Sequence, residues 1–151
     1  MCGADEIGSI EYGLTHVHTP IFVMLGHTHC GAIKAATHAA QGKGNAPERN
    51  MPPLVNKIVP AVNLAMEAHK DVHGDKIVPY AMEENMWMGI EELFMKSPAT
   101  RNLVKTDKLK VVAGVYDVGT GKVKWLSTEK VDEIFKRVEA SPDKETVKDK
   151  R

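Results

Sequence analysis

At 151 residues the chain suits one domain with a real core, burying roughly 68–70% of the surface its unfolded form would expose. Hydrophobic residues make up 42% and charged residues 26%, and 20 basic side chains balance 20 acidic ones, which argues against a nucleic-acid surface or a membrane-binding face. No apolar run nears the roughly 18 residues of a membrane span, the acidic start MCGADEIGS does not read as a signal peptide, and 2 cysteines make no disulfide framework, so reduced thiols in the cytoplasm are expected.

Taken in chain order, Asp5 reads as an N-cap for a first helix, EIGSIEYGLTHV, with Ile7, Ile10, Leu14 and Val17 on one stripe. Thr19-Pro20 stops it. Ile21–Leu25, IFVML, is continuously apolar, the pattern of a strand buried on both faces, and Gly26 ends it. From about Cys30 to Gln41 the alanine content favours helix, with Gly42 as its C′ residue. Helix–strand–helix is the rhythm of an α/β domain with a mostly parallel central sheet and flanking helices. Gly42–Pro53 is a polar, Gly/Pro-rich connection. A helix follows from about Pro53 to His69, which Pro60 should kink or divide. HGDKIVP is a second break. A long helix runs from about Tyr80 to Lys96, with Met82, Met86, Ile90, Leu93 and Phe94 on one side, and a short one covers about Thr100 to Lys105. Leu109–Val118, a turn at Gly119-Thr120-Gly121, and Lys122–Leu126 form a C-terminal antiparallel hairpin. Leu126 reads as the last clearly packed residue. The domain is therefore placed at residues 1–127, and 128–151 as a C-terminal helix and tail, partly disordered, with one amphipathic stretch, VDEIFKRV.

Chemistry is expected at GHTHCGA, Gly26 to Ala32, because ligands of open α/β sheets collect at the carboxyl ends of strands. His27 and Cys30 form an H-x-x-C pair, and imidazole and thiolate are preferred zinc ligands. Gly26 and Gly31 would let the backbone fold closely round a shared point. The amides of Gly31 and Ala32 open a helix, whose dipole favours an anion. Spacing alone leaves open a small buried cysteine beside a histidine satisfied by a backbone carbonyl. His29 reads as solvent-facing beside the cleft, and His16, His18, His38, His69 and His73 as surface or satisfied residues.

GSIEYG, an apolar strand and then GHTHCGAIKAA resemble the β-class carbonic anhydrases, in which such a segment carries half of the zinc site. ENMWMGIEELFMKSP is similar to that family's long helix, and LKVVAGVYDVGTGKVKWL to its closing hairpin. The resemblance spans about Asp5 to Leu126. It implies zinc-dependent hydration of carbon dioxide to bicarbonate, a lyase reaction in which the metal lowers the pKa of its bound water. By motif position His27 and Cys30 would be metal ligands for Zn2+, and the Gly31 backbone would border the substrate pocket. It also implies a homodimer or higher homo-oligomer. Part of the face around Trp87 that carries Met82, Met86, Met88 and Met95 would then serve as subunit contact; otherwise it is an adaptable core face.

The family's first two strands are missing. So is the Cys-x-Asp-Ser-Arg motif, whose cysteine is a third ligand and whose Asp takes the fourth position or, paired with the Arg, orients the zinc-bound water. Cys2 sits elsewhere, in the loop before the first helix, and no Asp-Ser-Arg follows it. Two protein ligands hold zinc poorly, and Ile21–Leu25 becomes an apolar sheet edge. A fragment, a start read from an internal Met, or pairing of that edge with a partner are all compatible with this pattern. Two other functions stay open: a metal-free carbonic-anhydrase-like interaction module, and a thiol sensor built from Cys2, His27 and Cys30.

Overall fold

The computed structural model describes residues 3–43 and 49–146. Periodicity in the sequence becomes, among these residues, six α-helices and one three-stranded sheet. The helices are α1 (Ala4–Thr15), α2 (Gly31–Ala40), α3 (Pro52–Ala68), α4 (Val78–Lys96), α5 (Pro98–Lys105) and α6 (Thr128–Ala140), and the strands are β1 (Ile21–His27), β2 (Lys110–Tyr116) and β3 (Val123–Trp125). The sheet order is β1-β2-β3. Lys110 N–H donates to the Pro20 carbonyl and Thr28 N–H to that of Tyr116, so β1 and β2 run parallel. Asp117 N–H donates to Lys122 and Leu126 N–H to Ala113, so β3 returns antiparallel. This is the expected α/β class, with a small mixed sheet. Among the described residues no helix is long and apolar enough to cross a membrane.

The chain forms two compact units. The first comprises Gly26–Met88 and Val115–Lys124. In it α2 buries Ile33, Ala36 and Thr37, and α3 buries Val55, Ile58, Ala61, Val62 and Ala65. Alanines on both helices let the backbones approach, and α2 packs on α3. Of the two outcomes expected at Pro60, division does not occur: α3 runs through it from Pro52 to Ala68. Proline removes one helical hydrogen bond, and the buried stripe on either side of Pro60 outweighs that loss. Gly42, at φ 66°, takes the expected left-handed position after α2. A 3₁₀ turn, Gly74–Ile77, leads straight into α4.

The second unit is built from the described parts of Cys2–Leu25, Gly89–Gly114 and Trp125–Arg151. Here Ile7 and Leu93 form a buried cluster, with Ile10, Phe22 and Met24 packed against it. Gly3, not Asp5, is the N-cap of α1, and it offers no side-chain cap; Asp5 sits in the first turn, where its charge suits the dipole. Val17 falls beyond the helix end and is exposed.

Strand β1 alternates rather than being buried on both faces. Phe22 and Met24 face the cluster, while Ile21 and Leu25 are 51% exposed and Val23 39%. The better covered strand is β2: Val111, Ala113 and Val115 are buried on one face, while on the other Val112 is half-buried and Tyr116 exposed; β2 lies between two neighbours and β1 at an edge of the sheet. Packing also continues past Leu126: Val131, Ile134 and Val138 of α6 are buried, and Phe135 meets Phe94 edge to face with centroids 5.1 Å apart. The stretch 141–146, read from sequence as frayed, is tethered by Glu145 N–H to the Met95 carbonyl at 2.8 Å. Residues 147–151 lie outside the described residues.

Candidate metal centre

Strand β1 does not stop at Gly26. It continues to His27, and Gly26 is required for a different reason than strand ending: a Cβ there would collide with the sulfur atoms of Met82 and Met86. The Met82 and Met86 side chains of α4 therefore lie against bare backbone at the start of the motif. The tight turn itself falls on His29, whose φ of 57° is left-handed, and not on a glycine. Gly31 is the first residue of α2, exposed, with open space around a Cβ built on it. Histidine tolerates the left-handed region better than most side chains, and a β-branched residue there is strained. We expect His29→Val to destabilise the fold by about 1–3 kcal/mol and His29→Gly to melt close to wild type. Thermal unfolding of the two variants checks this.

The turn brings His27, Thr28, His29 and Cys30 to one cavity of about 450 Å³, which Lys34, Asp75, Val78, Pro79 and Met82 complete. The His27 Nδ1 lies 2.9 Å from the Thr28 carbonyl oxygen. A carbonyl only accepts, so Nδ1 is the donor in this contact, and of the two neutral tautomers it selects the one that leaves the lone pair on Nε2. Metal-bound histidines are oriented by this kind of contact. Cys30 is a free, half-buried thiol at the N-cap of α2 and makes no side-chain cap bond.

Two polar clusters flank these residues. At the cavity rim Asp75 accepts from His38 Nε2 at 2.7 Å and Lys34 Nζ at 3.0 Å, and these partners, His38 first, hold its carboxyl below the ordinary range. At the hairpin turn Asp117 accepts from the Thr120 hydroxyl at 2.8 Å and Gly119 N–H at 2.9 Å, which hold its carboxyl low in the same way. The Thr28 hydroxyl accepts from Val118 N–H at 3.1 Å and reaches Asp117 Oδ1 at 3.4 Å. Sequence reasoning overlooked Thr28 and Asp117. The available signal was Asp117-Val118-Gly119, an Asx-turn pattern in which a carboxylate caps an amide two residues on.

Of the remaining histidines, His16 stacks on Tyr12 and His69 on Tyr80, each within 5.0 Å between centroids. His29 is exposed at the cavity. Cys2 lies outside the described residues. Among the described residues no three His, Cys, Asp or Glu side chains gather as a metal site. His27 and Cys30, donors of the kinds zinc prefers, both line the cavity, and the described residues bring no third such ligand to them.

Comparison with known proteins gives this arrangement its context. A family model described as carbonic anhydrase matches residues 2–123. A carbonic anhydrase of Mycolicibacterium smegmatis is 29% identical over 121 residues, covering 80% of this chain and 56% of that protein. The chain thus spans little more than half the length of this curated relative. Among solved structures, the β-carbonic anhydrase CafA of Aspergillus fumigatus superimposes with a TM-score of 0.75 at 24% identity, over 90% of this chain and 62% of that one. One of two tetrameric β-carbonic anhydrases from Sordaria macrospora gives 0.65 at 20% identity, over 83% and 61%. The fold, the strand-end motif and the family match agree: this chain belongs to the β-class carbonic anhydrase family.

Proposed function

We propose that this chain serves zinc-dependent, reversible hydration of carbon dioxide to bicarbonate, and that it supplies two of the metal ligands, His27 through Nε2 and Cys30 through its sulfur. The observation that carries the reading is the pairing of these two donors at one cavity, with the His27 ring already oriented by a backbone carbonyl. Zinc bound there would bring the pKa of a coordinated water towards about 7. Val78, Pro79 and Met82 give the cavity an apolar lining suited to carbon dioxide, which is itself apolar. Gly31 opens α2 next to Cys30 but is not among the residues lining the cavity, so its backbone would border the pocket by motif position alone. Hydration requires a third protein ligand, and the described residues gather no group of three. We further place the site in a homo-oligomer, as in the tetrameric Sordaria macrospora relatives, and in the reducing cytoplasm, where Cys30 stays a thiol.

The lack of a third donor among the described residues favours one competing reading, a metal-free interaction module. Mass-mapped thiol alkylation separates the two. With zinc added, Cys30 should react at least about tenfold more slowly while Cys2 is unchanged, the order of effect expected when a thiolate is tied up by metal. No protection at Cys30 rejects the zinc reading in favour of the module. Protection of both thiols indicates a sensor built from Cys2, His27 and Cys30.

A further inference from the structure

The loop after β1 is tied to the β2–β3 hairpin by Thr28. Thr28 uses every polar group it has. Its N–H donates to the Tyr116 carbonyl at 2.9 Å. Its hydroxyl accepts from Val118 N–H at 3.1 Å and points its proton at Asp117 Oδ1, 3.4 Å away. Its own carbonyl takes the Nδ1–H of His27 at 2.9 Å. A hydroxyl offers one donor and two acceptor positions, so the Thr28 side chain has both kinds of role in use.

The far end of this chain of contacts is rigid. Asp117 donates its N–H to the Lys122 carbonyl and accepts Gly121 N–H at its own carbonyl, both at 2.8 Å. Its carboxylate closes on Gly119 and Thr120. Constraint therefore passes from the hairpin turn to Asp117 and Val118, then to the Thr28 hydroxyl, then to the Thr28 carbonyl, and so to the imidazole. The contact from Val118 N–H is the shorter of the two at the hydroxyl, and Asp117 acts mainly by holding the turn that presents it.

We propose that Thr28 is a positioning residue for His27: its hydroxyl, gripped by the hairpin turn, fixes the carbonyl that keeps the His27 proton on Nδ1 and leaves Nε2 free for metal. The proposal rests on the zinc reading only for its functional consequence. The orientation of the ring is a property of the metal-free protein and is tested there.

Thr28→Val keeps the shape and removes the hydroxyl. Thr28→Ser restores the hydroxyl. Asp117→Ala attacks the same contact from the turn. The first readout is the tautomer of His27 in metal-free protein, from imidazole ¹⁵N shifts at about pH 8.5, where an ordinary imidazole is neutral. Wild type and Thr28→Ser should hold the proton on Nδ1. Thr28→Val should move the ring towards the mixture of tautomers seen in free imidazole, and Asp117→Ala should do so less. The second readout is affinity for zinc alone, expected to fall about tenfold in Thr28→Val and to recover in Thr28→Ser, as for outer-shell groups generally. A lowered melting temperature with an unchanged His27 tautomer in both Thr28→Val and Asp117→Ala would overturn the proposal and leave Thr28 a loop staple. If wild type binds no zinc yet the tautomer shifts as described, the zinc reading fails and the positioning role stands. Should Thr28→Val not fold, Asp117→Ala against Thr28→Ser decides the tautomer question.

Discussion

Replacing Cys30 with serine should abolish zinc retention while leaving the fold intact. A serine hydroxyl does not ionise near neutral pH, and zinc selects thiolate and imidazole. His27 would then stand alone as a protein ligand among the described residues, and one imidazole holds the ion only weakly. The loss should exceed the roughly 10–100-fold that removal of an outer-shell partner costs. Unfolding does not offer an alternative explanation. Cys30 is the N-cap of α2 and makes no side-chain capping bond, and serine is among the preferred N-cap residues, so the variant should melt no lower than wild type. Competition against a chromophoric chelator gives the affinity. Substitution with Co2+ gives a second check, since the thiolate-to-metal absorption should vanish in Cys30→Ser. Equal zinc affinity in the two proteins would remove Cys30 from the site and the zinc reading with it.

The sequence announced the site more clearly than it did the turn geometry. Residue types and spacing were enough to pick out His27 and Cys30, because H-x-x-C after an apolar strand has a chemical meaning independent of packing, and both residues do line one cavity. Backbone detail around them was misassigned. Glycine is the default guess for a tight turn, yet the left-handed residue is His29, and Gly26 answers to two methionine sulfurs on a helix more than fifty residues away in sequence. No local pattern encodes such a long-range contact. The same holds for Thr28, whose partners are Asp117 and Val118. The element order was legible because helix and strand periods differ. Burial was less so: IFVML and KVVAGVY are both apolar runs, yet β1 alternates exposed and half-buried residues while β2 buries Val111, Ala113, Gly114 and Val115. The helix α6 was visible as an amphipathic stretch, but its burial depends on Phe94 and on a buried arginine that sequence reading passed over.

That arginine is Arg101, and Arg101→Ala should destabilise the protein by about 3–5 kcal/mol, the range for removing one partner of a buried ion pair. Arg101 is 5% exposed. Its guanidinium donates to the carbonyl oxygens of Phe94 and Glu145, reaches that of Met95 at 3.4 Å, and pairs with Glu139 through Nε at 3.1 Å. Phe94 and Met95 sit in the last turn of α4, where carbonyls lack helical partners and a cation is favourable. One side chain thus closes the end of a helix, holds α6 through Glu139 and fastens the segment after α6 through Glu145. Lys105 also pairs with Glu139, and Lys144 donates to the carbonyls of Glu139 and Ser141 at 2.8 and 2.9 Å. For a chain of this size the loss corresponds to a fall in melting temperature on the order of 10 °C. Arg101→Lys should cost less, because it keeps the charge and loses the planar fork that serves several acceptors at once. Acidity should act on the same latch. Lys105, with Arg101 and Lys144 adding to it, holds the Glu139 carboxyl below its ordinary value of 4.5. A carboxyl depressed in the folded state contributes stability that is complete above that ordinary value and is lost as pH falls through the folded one. Stability should therefore decline below about pH 4.5, and the part of the decline owed to Glu139 should shrink in Arg101→Ala. Thermal melts of both variants across this window, with hydrogen exchange at α6, measure the effect. Unchanged α6 protection in Arg101→Ala would show that the apolar stripe of Val131, Ile134 and Val138 holds the helix without the latch.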